Sequence, residues 1–160
     1  MKIVHSKKLA EFNFKVLHNI VPSGYMVSKW DKTVKSTCDY CDLLETTEHM
    51  LFSCTRIQTI WRNVSKTLKF EISWKVLVCG FIDRDITEKL EFLNLIITIL
   101  MYSIFKQNSM CKFDQVSYAT KNVQENMRLY LCYYKNILQC TKYGIYSTKI
   151  LDDIINGLCI

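Results

Sequence analysis

Apolar residues recur at helical spacing through most of the chain. Leu9, Phe12, Val16, Leu17 and Ile20 share one face of a helix expected over residues 6–20, and Ser6 can cap it. Pro22 and Gly24 punctuate its end, and a short helix through Tyr25 to Trp30 follows. Residues 31–46 are polar and predict a loop. Thr46 or Thr47 can cap the next helix, with Glu48 in its first turn, where the helix dipole favours a negative charge. Ile57, Ile60, Trp61, Val64 and Leu68 then form an apolar stripe, while residues 72–82 fit either a short helix or a strand closed by Gly80. Thr87 to Lys106 predicts a helix that is apolar nearly all round at its centre and therefore buried. Residues 114–138 predict the longest helix. There Val116, Val123, Tyr130 and Ile137 recur every seven residues with Met127 and Tyr134 offset by four, a seam that packs on another helix of the same domain. Ser147 to Asn156, ended by Gly157, predicts a last helix. Trp30, Trp61 and Trp74 all lie in apolar patterns and are expected in the core.

The pattern gives a mainly α fold. A single proline and four glycines among 160 residues disfavour a turn-dense β-sandwich. The most apolar run, Phe92 to Phe105, would extend about 21 Å as a helix, too short for a bilayer, so a core helix is expected and no membrane partner. No amino-terminal run reads as a signal peptide, which implies an intracellular protein, nuclear or cytoplasmic, in a reducing compartment. Its eight cysteines are then thiols or metal ligands rather than a disulfide framework.

Three of those cysteines stand with a histidine in the spacing C-x2-C-x7-H-x4-C, as Cys38, Cys41, His49 and Cys54. A two-residue gap lets Cys38 and Cys41 sit on one tight turn with both sulfurs toward one ion, and His49 and Cys54 supply the opposite pair. Thiolates with an imidazole select zinc, and four protein ligands leave no open position, so one structural Zn2+ is expected. The x4 gap poses a problem: five residues of α-helix turn about 140° past a full turn, so a regular helix cannot aim both ligands at one ion. The helix carrying His49 should therefore be short or distorted, ending near Ser53. The other cysteines, Cys79, Cys111, Cys132, Cys140 and Cys159, are scattered among apolar residues and read as small buried hydrophobes. His5 and His18 have no such ligand partners.

Residues 11–22, from Glu11 through Pro22, and Lys29-Trp30 resemble the start of the zinc-binding domain that follows the polymerase in reverse transcriptases of LINE-type (non-LTR) retrotransposons. Cys38-Asp39-Tyr40-Cys41, the block Glu45-Thr46-Thr47-Glu48-His49-Met50-Leu51-Phe52-Ser53-Cys54 and then Trp61 are similar to that family's cysteine pair, its histidine–cysteine block and its following tryptophan. Ser73-Trp74-Lys75-Val76-Leu77 with Gly80-Phe81 resembles the family's segment before a late apolar helix. The resemblance is good over residues 9–106 and looser beyond. It implies a region lying carboxy-terminal to a polymerase and associated with the element's RNA.

The formal charge is +6, concentrated at the amino-terminal end, where residues 1–35 hold seven lysines against Glu11 and Asp31. That suits a polyanion. Lys29, Lys32 and Lys35 before the cysteine pair, and Arg56 and Arg62 after the last ligand, are the candidate contacts to RNA or another single-stranded nucleic acid. Two regions are expected, a zinc-binding region over residues 1–70 and a helical carboxy-terminal region over 71–160 packed on it. No nucleophile with a base, open metal site or phosphate loop suggests an enzyme. Leu151-Asp152-Asp153-Ile154 lies in a helical pattern rather than on the aspartate-bearing strand of a polymerase. The expected function is a zinc-binding, RNA-associated module of a retrotransposon reverse transcriptase, without polymerase activity of its own. The alternatives are a zinc-stabilised domain that docks on the polymerase or another protein, and a non-functional transposon fragment.

Overall fold

The computed structural model describes residues 7–81, 88–113 and 120–139, together with Asp152, Asp153 and Asn156. Among them six α-helices occur: α1 (Lys7–Leu17), α2 (Gly24–Val27), α3 (Thr55–Leu68), α4 (Trp74–Cys79), α5 (Glu88–Phe113) and α6 (Thr120–Gln139). A π-helical segment, His49–Ser53, precedes α3. The described residues form no strand, only an isolated antiparallel bridge between Thr37 and Leu44.

Leu9, Phe12 and Val16 recur at helical spacing, so α1 buries one stripe. Phe12 sits edge-on to Tyr102 of α5, with ring centroids 5.4 Å apart, and Tyr102 in turn meets Tyr130 of α6 edge-on at 5.7 Å. Those edge-to-face contacts join three helices. Leu17 and Ile20 do not share the buried stripe; both are exposed. Asn19, at φ +53°, turns the chain out of the helix, so Ile20 leaves the register of α1. Ser6 lies outside the described residues.

α2 ends at Val27, earlier than the predicted Trp30. Ser23 caps it by accepting from the Met26 amide. Beyond that end Trp30 belongs to no helical face, and at 75% exposed it is a correction to the expected core tryptophan. Trp61 is buried, and Trp74 packs partly buried against the core.

The ambiguous 72–82 segment resolves as helix α4, capped by Ser73 and ended by Gly80 at φ +75°. The Asn94 side chain accepts from the Phe81 amide and donates to the Phe81 carbonyl, tying that turn to α5.

Among the described residues α5, at 26 residues, is longer than α6, at 20, and the first part of the helix predicted over 114–138, residues 114–119 with Val116, lies outside them. α5 outruns the predicted end at Lys106 because Gln107 and Asn108, polar by sequence, are buried here with partners. By length and composition it is apolar enough to cross a bilayer, yet 67% of its most apolar window is buried within the protein. α6 packs along it through buried Val123 and Leu131. One buried cluster runs from Leu9 in α1 to Leu131 in α6. Asp152 and Asp153 are helical, and the rest of the predicted 147–156 helix, Asn156 apart, lies outside the described residues.

The scattered cysteines correct the sequence expectation. Cys79 is exposed, Cys111 and Cys132 are half-buried, and Cys140 and Cys159 lie outside the described residues.

Candidate metal centre

The bridge between Thr37 and Leu44 closes a tight turn that carries the first two ligands. Inside it the Cys38 amide donates to the Leu43 carbonyl at 2.8 Å and the Asp42 amide to the Cys38 carbonyl at 2.9 Å. Asp42 takes the left-handed conformation, φ +56°, that aspartate tolerates better than branched residues do. The Tyr40 amide points at Cys38 Sγ from 3.5 Å, a donor aimed at a sulfur that carries charge when a metal is bound.

The second pair stands on a distorted turn, as the x4 gap requires. Thr46 caps it, its hydroxyl accepting from the His49 amide at 3.1 Å. The backbone then widens into a π turn, and the Cys54 amide donates to the His49 carbonyl five residues back at 3.0 Å. This i to i+5 bond brings His49 and Cys54 to the same side of the turn. Cys54 itself is extended, φ −61° and ψ 132°, and starts α3. The end of the π segment leaves carbonyls to satisfy, and two distant side chains do so: Trp61 Nε1 donates to Leu51 at 2.8 Å and Asn108 Nδ2 to Met50 at 3.3 Å.

The four ligand atoms lie within 4.8 Å of one another. Cys38 Sγ is 3.9 Å from Cys54 Sγ, and Cys41 Sγ is 3.2 Å from His49 Nε2. At tetrahedral angles, sulfurs about 2.3 Å and a nitrogen about 2.0 Å from one ion stand about 3.8 Å (S–S) and about 3.5 Å (S–N) apart. The observed separations bracket those values, so a single zinc ion fits between the side chains as they stand. Cys38, His49 and Cys54 are buried and Cys41 is half-buried, leaving little access for water.

The titration behaviour agrees. Burial holds the His49 imidazole below its usual value, against an opposing pull from Glu45, which favours the neutral ring that ligates. Burial also pushes the Cys54 thiol up to about 11, with Cys38 beside it adding to the rise. A dication there reverses that balance and takes the thiolate. Four protein donors around a bound ion would leave no position for substrate, the arrangement of a structural site.

A residue the sequence did not single out locks the loop to the helices. Glu45, almost fully buried, accepts from the Gly24 amide at 2.8 Å and from Lys112 Nζ at 2.7 Å through the same oxygen. Glu45 belongs to the block that resembles the retrotransposon family, but nothing in the pattern points to a partner 67 positions away.

The nucleic-acid candidates divide. Lys29, Lys32, Lys35 and Arg62 are exposed, while Arg56 is half-buried, donating to Asn108 and lying over the Tyr40 ring. Lys29 Nζ stands 4.3 Å from the centroid of the Tyr25 ring, and Lys35 pairs with Asp42 at 2.8 Å. Arg62 bonds along its own helix, to the Gln58 carbonyl and the Thr59 hydroxyl. His18 is exposed, and its ring lies tilted against Phe14, centroids 4.2 Å apart.

Residues 2–61 match the family model described as zinc-binding in reverse transcriptase, a span that includes all four clustered ligands and Trp61. No curated protein and no solved structure matches the chain.

Proposed function

From the match of residues 2–61 to the family described as zinc-binding in reverse transcriptase, we propose that the chain is an RNA-associated module of a LINE-type reverse transcriptase. It acts inside the cell and carries no polymerase activity itself. The observation that carries this reading is the surface beside the zinc loop. Lys29, Trp30, Lys32 and Lys35 are all exposed on the stretch between α2 and the first ligand. Cations alternate there with an uncovered aromatic side chain, the combination that holds phosphates and stacks on unpaired bases. The stretch ends at Cys38, so a zinc ion bound there would anchor its carboxy-terminal end.

A second reading has its own support. Phe14 and Leu17 of α1 and Ile20 just beyond it are exposed together with His18, an apolar face suited to a protein partner such as a polymerase domain.

The test is a filter-binding titration of single-stranded RNA over a salt series, with and without a zinc chelator. A phosphate-driven contact makes log affinity fall linearly with log salt, by about 0.7 per phosphate neutralised, and chelation weakens it. Binding that ignores salt, or no binding at all, removes the RNA reading and leaves the protein-docking one.

A further inference from the structure

Beside the zinc loop opens a cleft of about 280 Å³ whose walls come from three separate parts of the chain. Asp39 and Tyr40 enter from the turn between the first two ligands, Arg56 from the start of α3, and Asn108 and Lys112 from the last turns of α5, with Glu45 beside them. We propose that this cleft binds one unpaired nucleotide of a single strand, its base stacked on the face of Tyr40 that Arg56 leaves uncovered and its phosphate oxygens toward Arg56. The proposal rests on the RNA reading above and assigns it a specific subsite.

Four features favour that ligand. The Tyr40 ring is 63% exposed, so a flat partner has access to it. The Arg56 guanidinium lies over one face of that ring, 5.9 Å from its centroid, and its planar fork matches the paired oxygens of a phosphate. Asn108 orients it: Oδ1 accepts from Arg56 Nη2 while Nδ2 is tied to the Met50 carbonyl. The charges decide the class. Arg56 and Lys112 are balanced by Asp39 and Glu45, and Lys112 is already paired with Glu45. A neutral lining of this kind suits a base with a single phosphate, not a polyphosphate chain. The volume falls just below the range of about 300–1,000 Å³ for small-molecule pockets, room for one nucleotide and too little for a duplex.

The test uses the zinc-loaded full chain. Its affinity for a short single-stranded RNA and for adenosine and uridine monophosphates is measured by calorimetry, for the parent and for Tyr40→Ala and Tyr40→Phe. Zinc content and melting temperature are checked for each. Tyr40→Ala should weaken RNA binding about tenfold, and Tyr40→Phe should retain it. The strand should bind more tightly than either monophosphate; the opposite order overturns the assignment to a strand. RNA binding with a normal salt slope but no loss in Tyr40→Ala overturns the cleft and leaves the wider function standing. Absence of RNA binding in the parent overturns both. Because Tyr40→Ala can disturb the zinc turn, a variant-free measurement runs beside it. Photo-crosslinking of 4-thiouridine RNA to the parent chain should label Tyr40, and labelling confined to other residues overturns the proposal.

Discussion

At the scale of single residues, the metal centre is a matter of proton balance. Burial keeps His49 neutral at pH 7, so zinc displaces no proton there, whereas the Cys54 thiol, pushed up to about 11, must surrender one. Zinc affinity should therefore rise with pH across the neutral range, by up to about tenfold per unit for each thiol deprotonated on binding. A competition titration against a chelator at pH 6, 7 and 8 checks this, and a pH-independent affinity contradicts it. Gly24 carries a second prediction. A Cβ there would meet Lys112 Nζ, the Lys35 carbonyl oxygen at 2.8 Å and Glu45 Oε1 at 3.0 Å. Lys112 is held by its ion pair and Lys35 by backbone, so neither yields cheaply. Gly24→Ala should cost about 1–3 kcal/mol in thermal or denaturant unfolding. The ligand quartet was legible in the sequence because its spacing is itself a geometric statement. The exposure of Trp30 was not. Its neighbours Tyr25, Met26 and Val27 look like a helical face, and only the early end of α2 at Val27 removes Trp30 from it.

At the scale of elements, the x4 gap between His49 and Cys54 predicts a distorted helix, and the π turn is the form that distortion takes. The gap could not reveal what holds the turn open. Trp61 does so from the next helix through its bond to the Leu51 carbonyl, and Asn108 does so from α5. Trp61→Phe keeps most of the buried ring but leaves that carbonyl without its donor. The variant should lose about 1–3 kcal/mol of stability and bind zinc more weakly, as measured by unfolding and chelator competition. An unchanged zinc affinity would show that the π turn stands without Trp61. The length of α5 escaped the sequence for a related reason. Polar residues from Lys106 to Ser109 look like a helix end, yet Gln107 and Asn108 are buried and bonded, so the helix continues to Phe113.

At the scale of the whole molecule, the zinc loop and the long helices share one buried cluster, and the Glu45–Lys112 pair fastens them across it. Side-chain exposures of 5% for Glu45 and 12% for Lys112 make this a buried pair, in which loss of one partner strands a charge. Lys112→Met should therefore destabilise the protein by about 3 kcal/mol, while the double change Glu45→Gln with Lys112→Met should recover part of the loss. Additive losses in that double-variant cycle would show the pair to be uncoupled. This link is invisible in any local pattern, since it depends on α5 running past its predicted end. The helical class was visible, because the core takes one apolar face each from α1 and α3 and buries the centre of α5 nearly all round. The account as a whole depends on three sulfurs and one imidazole nitrogen meeting at one ion. Zinc-edge X-ray absorption on the purified full chain, with metal content measured on the same sample, tests it most directly. The expected result is one zinc per chain in a four-coordinate shell of three sulfurs and one nitrogen; a chain that purifies folded without zinc, or a shell lacking the histidine, contradicts it.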